Sequence, residues 1–130
     1  MVRSLFRILV VDDERDTADS LAMLLTMSGH PANPAYDAAS ALSVARRYAP
    51  YLVFLDLAMP EVDGFRLAEQ LRGLPGMEDA VLVCLTGYAG PEYQERARQA
   101  GFAHFLPKPV DPQEVVRLVD DIVDPVLSAV

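Results

Sequence analysis

Cysteine and lysine occur once each in this 130-residue chain, histidine twice and tryptophan not at all. The single cysteine, Cys84, excludes an intrachain disulfide, and its place inside AVLVCL marks it as a small buried hydrophobe. Without a Cys/His cluster there is no zinc site to look for, and His30 and His104 are expected at the surface. Basic residues are scarce as well. Eleven of them against 19 acidic residues leave a net charge of −8, which repels phosphate backbones and argues against direct nucleic-acid binding. No apolar run approaches the roughly 18 residues that a membrane-spanning helix needs. The opening MVRSLFRILVVDDE has no small-residue cleavage site and turns acidic at once. The expectation is a cytoplasmic chain, free of the membrane, whose partner is another protein.

What is present is a regular alternation of two patterns. Residues 6–11 (FRILVV), 51–55 (YLVFL), 80–85 and 103–106 are short apolar runs rich in branched residues, the pattern of buried strands. Residues 30–36 form a weaker strand, because Pro31 and Pro34 cannot donate to a ladder and are tolerated only at a sheet edge. Between these lie helical spacings over 16–28, 37–48, a stretch ending near Arg72, 91–100 and 112 to about 123. The last is announced by Asp111 at the cap, Pro112 in the first turn and Glu114 three residues after the cap, and is expected to stop before Pro125. Five strands alternating with five helices predict one α/β domain over 1–130, with its core at about 6–123. Its architecture is a flavodoxin-like (βα)5 doubly wound parallel sheet in the order 2-1-3-4-5.

In such a sheet ligands bind beyond the carboxyl ends of the strands. Asp12 and Asp13 follow the first strand, Asp56 ends the third, Thr86 follows the fourth, and Lys108, the only lysine, follows the fifth. Asp12 and Asp13 could serve merely as helix caps, Asp56 as a loop acid and Lys108 as a solvated surface charge. Their convergence on one edge makes those readings weaker than a shared site. Three clustered carboxylates repel one another unless a cation joins them, and an all-oxygen set suits Mg²⁺, with Mn²⁺ as a substitute. A carboxylate can also be a nucleophile toward phosphorus when neighbouring cations neutralise the transferred charge.

The segments VVDDE (10–14), FLDLAMPEVDGF (54–65), CLTGY (84–88) and FLPKPV (105–110) together resemble the response-regulator receiver domains of two-component signalling. The likeness runs from about Arg7 to Val123. It implies that Asp56 accepts a phosphoryl group from a phosphohistidine on a histidine kinase or phosphotransfer protein. Asp13 would bind Mg²⁺ directly, Asp12 largely through water, Asp56 through its carboxylate and Ala58 through its backbone carbonyl. Lys108 would hold a phosphoryl oxygen, Thr86 would move toward the phosphate, and Phe105 would turn inward with it, switching the face made by the fourth helix, fifth strand and fifth helix. Such a chain is a switch with self-catalysed phosphotransfer and dephosphorylation, not an enzyme with an external substrate.

AGFAHFLPKPVDPQEV is most similar to receivers fused to hybrid histidine kinases. Two departures, Ala58 where polar side chains are common and Tyr88 two residues past Thr86, are expected to alter the phosphoryl lifetime. Phe105 lacks the hydroxyl of the commoner tyrosine. A haloacid-dehalogenase-like phosphatase would need an acid at position 58, and a degenerate receiver acting only as an interaction module would not need all five polar residues. A cis bond before Pro109 would aim Lys108 inward.

Overall fold

The computed structural model describes residues 6–60, 62–87 and 90–128, with side chains as far as 125. Tyr88, expected to influence phosphoryl lifetime, lies outside the described residues. In chain order the elements are β1 (Ile8–Val11), α1 (Arg15–Met27), β2 (Ala32–Ala35), α2 (Ala38–Tyr48), β3 (Leu52–Asp56), α3 (Gly64–Arg72), β4 (Val81–Thr86), α4 (Pro91–Gln99), β5 (Phe102–Pro107) and α5 (Pro112–Ser128). The strands form one sheet in the order β2-β1-β3-β4-β5, every pair parallel. This is the flavodoxin-like arrangement expected from the alternation of patterns.

The continuous apolar runs are explained by burial on both sheet faces. Side chains alternate along a strand, so Leu9, Val11, Val53 and Leu55 join the core under α2, α3 and α4. Ile8, Val10, Leu52 and Phe54 join the opposite core with α1 and α5. Strand β2 occupies an edge and pairs only with β1, Pro34 standing opposite Val10, as its prolines require.

Two expectations need correction. Helix α5 does not stop before Pro125 but carries it inside and continues to Ser128. Proline removes one N–H from the ladder and crowds the carbonyl four residues back. Here that carbonyl belongs to Asp121, an exposed residue, so water can take the place of the missing donor. His30 is not at the surface: it is fully buried, its Nε2 2.8 Å from Asp120 Oδ1 on α5. Gly29 adopts φ 95° after α1 and turns the chain inward, and the carboxylate makes a polar ring tolerable there. His104 is half-buried.

Candidate functional site at the carboxyl edge of the sheet

Strands β1 and β3 lie side by side, with Val11 in register with Leu55, so the residues that follow them emerge together. Asp12 is fully buried, Asp56 4% exposed, and Asp13 exposed. One carboxylate oxygen from each of these three lies within 4.8 Å of the others, a group able to hold a metal ion. Glu14, the third acid in the run, places Oε1 3.6 Å from Lys108 Nζ.

Lys108 arrives from the other side of the sheet. Its backbone N–H donates to the Thr86 carbonyl at 2.9 Å, and its peptide bond to Pro109 is cis. Its ammonium group donates to Asp12 Oδ2 at 2.7 Å and to Asp56 Oδ2 at 3.0 Å. Asp56 Oδ1 accepts the backbone N–H of Ala58 at 2.8 Å, and Asp12 Oδ1 that of Glu14 at 3.0 Å. One oxygen of each acid thus makes a local turn bond while the other faces Lys108, and the N-cap of α1 is Glu14, with no side-chain cap.

Burial raises the Asp56 carboxyl above its ordinary range, the nearby Asp12 charge adds to the rise, and the bonds from Ala58 and Lys108 only partly offset it. For Lys108 burial works against the charged form, but the bonds and charges of Asp12 and Asp56 outweigh it and the net shift is upward. The amine thus stays an ammonium at neutral pH. All-oxygen ligands, two of them buried, fit a small hard divalent cation better than a soft one.

The loop beyond Asp56 is shaped by close approach. Asp63 caps α3, accepting from the N–H groups of Phe65 and Arg66. Gly64 has no room for a side chain: a Cβ there would stand 2.9 Å from the Leu57 Cα and 2.5 Å from its Cδ2. Asp63 is therefore a cap and Gly64 a packing glycine.

Thr86 ends β4 and is 3% exposed, and Tyr93 on α4 is near enough for the two side chains to influence each other. Phe105 on β5 is half-buried against the same core. The nearness of Tyr93 to Thr86, Glu14 beside Lys108 and the His30–Asp120 pair are absent from the sequence reading. Glu14 was within reach of it, as the third acid of an uninterrupted run; Tyr93 sits in an exposed-looking helix and offered no periodic signal.

The response regulator receiver domain family matches residues 8–120 of the chain. The chain belongs to that family. An uncharacterised 14.6 kDa protein of Leptolyngbya boryana is 46% identical to this receiver domain over 112 residues, 86% of each chain. Response regulator MprA of Mycobacterium tuberculosis is 34% identical over 110 residues, 85% of this chain but 47% of that protein, so the chain spans about half of MprA. Among solved structures, a CheY-like receiver domain from Methanospirillum hungatei superposes with a TM-score of 0.83 at 28% identity, covering 94% of this chain and 96% of that one. The likeness to response regulators agrees with a place in two-component signalling. No helix among the described residues is long and apolar enough to cross a membrane.

Proposed function

We propose that this receiver domain takes a phosphoryl group onto Asp56 from a phosphohistidine of a histidine kinase or phosphotransfer protein. The observation that carries the reading is the position of the only lysine, whose ammonium bridges Asp12 and Asp56 at 2.7 and 3.0 Å. In the transfer an Asp56 oxygen forms a bond to phosphorus while the phosphorus–nitrogen bond to the donor imidazole breaks, and the imidazole leaves neutral after taking a proton. Lys108 faces the carboxylate oxygen and offers a positive charge to the phosphoryl oxygens. Asp12, Asp13 and Asp56, with the Ala58 carbonyl, would hold Mg²⁺, which Mn²⁺ can replace. The bound ion supplies charge neutralisation to the transferring group. Thr86 donates its hydroxyl to a phosphoryl oxygen, and Phe105 repacks, which carries the change to α4, β5 and α5. Ala58 offers no polar side chain to a water approaching the acyl phosphate, which sets the phosphoryl lifetime.

Incubation with Mg²⁺ and acetyl phosphate, followed by intact mass, tests this. One phosphoryl mass is expected in the native chain and none in Asp56→Asn; addition that survives in Asp56→Asn would sink the acceptor assignment.

A further inference from the structure

Lys108 is surrounded by three carboxylates of two kinds. Asp12 Oδ2 and Asp56 Oδ2 stand 2.7 and 3.0 Å from its Nζ on side chains that are 0% and 6% exposed. Glu14 Oε1 stands at 3.6 Å on a side chain that is 69% exposed. A solute arriving from water therefore meets Glu14 before either buried acid.

Glu14 is the N-cap of α1, yet its side chain makes no cap bond with the first turn of the helix and reaches toward the ammonium instead. Its backbone N–H donates to Asp12 Oδ1 at 3.0 Å, which ties its main chain to the site. Glu14 and Lys108 also share the wall of a groove of about 710 Å³ between α1 and the loop after β5, where Asp16 lies too and Lys108 is the only base among the lining residues. Glu14 is not what keeps that amine charged. The bonds and charges that outweigh its desolvation come from Asp12 and Asp56. The Glu14 charge can thus act on an arriving donor without altering the ammonium.

We propose that Glu14 is a specificity-determining residue for the phosphodonor: its carboxylate beside Lys108 opposes small acyl phosphates, which arrive as dianions, more than N–P donors whose protonated nitrogen leaves one net negative charge. This rests on Asp56 as acceptor. In both reactions an Asp56 oxygen bonds to phosphorus. From acetyl phosphate the phosphorus–oxygen bond breaks and acetate leaves with the electron pair. From phosphoramidate protonated on nitrogen, the phosphorus–nitrogen bond breaks and ammonia leaves. Repulsion scales with the donor's charge, so the dianion is opposed twice as strongly in free energy. A phosphohistidine is an N–P donor, and Glu14 thereby favours it over free acyl phosphates.

The test follows initial phosphoryl uptake by intact mass in the full chain, Glu14→Gln, Asp16→Asn and Asp56→Asn, with Mg²⁺ at pH 7, low ionic strength and sub-saturating donor. Glu14→Gln is expected to take phosphate from acetyl phosphate about threefold faster, the ratio that one exposed ion pair carries. With phosphoramidate the rise should be only about 1.7-fold, the square root of that ratio. Asp16→Asn removes a charge from the same groove without touching the Lys108 pair and should change neither rate. In about 1 M salt, where the screening length is about 3 Å, the difference between donors should vanish. No rise in Glu14→Gln, an equal rise with both donors, a matching rise in Asp16→Asn or a preference that persists in salt overturns the proposal and leaves Asp56 as acceptor. Uptake in Asp56→Asn equal to that of the native chain, or no uptake by the native chain, overturns both readings.

Discussion

Helices α1 and α4 flank the same site and are fastened in opposite ways. Helix α1 presents Ala18, Leu21, Ala22 and Leu25 to the sheet and is seated by apolar burial. Helix α4 has Ala97 as its one fully buried residue, with Tyr93 partly buried against Phe65, and Arg98 and Glu95 pair at 2.6 Å in the open. An exposed pair of this kind adds little. Apolar burial does not respond to a change of charge a few ångströms away, whereas polar contacts do. The lesson is that the site is built between a deeply buried wall and a lightly buried one, and that sequence composition already differs between them.

The largest expected effect concerns Cys84, which lies in the core beneath α2, α3 and α4. Burial, with a contribution from the Asp56 charge, pushes its thiol up from 9.0 to about 12. At pH 8 the native chain should therefore hold roughly a thousandfold less thiolate than the unfolded one, because each pKa unit is a factor of ten. Labelling by a thiol reagent should be correspondingly slow until denaturant is added. Labelling near the unfolded rate would mean that the α4 side opens far more readily than its packing implies.

Leu25→Ala comes next. Removing a fully buried leucine from the deeply buried wall should cost about 2–5 kcal/mol in denaturant unfolding, through lost burial and the cavity left behind. A loss below about 1 kcal/mol would mean that α1 is not the firmly seated helix described above.

The smallest and sharpest test makes one substitution on both walls. Ala18 and Ala97 are both completely buried, so each Ala→Gly change should cost about 1–2 kcal/mol in helix propensity and lost methyl contact. The stability losses should match. Only Ala97→Gly should hasten amide exchange locally in α4 and alter phosphoryl uptake, and equal effects on uptake from both would erase the contrast.

Much of this was legible in the chain. Strands were readable from apolar runs because a doubly covered parallel sheet needs both faces apolar, and the edge place of β2 from Pro31 and Pro34. The gathering of Asp12, Asp13, Asp56, Thr86 and Lys108 followed from strand order alone, since each lies at or just beyond a strand's carboxyl end. Other features were not readable, and for one reason. His30 is buried because Asp120, 90 residues on, supplies a partner across the fold. Helix α5 continues through Pro125, and the carbonyl left without its donor belongs to Asp121, an exposed residue. Gly64 reads as a turn residue until Leu57 is found against it.

The amino-acid pattern by itself determined the five strands and helices, their order and the identity of the polar residues at one edge, because alternation and strand-end position are local or topological properties. Tertiary structure alone decided that Lys108 touches both Asp12 and Asp56, that Glu14 stands beside it, and that His30 meets Asp120. Those contacts depend on distances between side chains far apart in the chain, fixed only when packing sets the angle and height of each helix against the sheet.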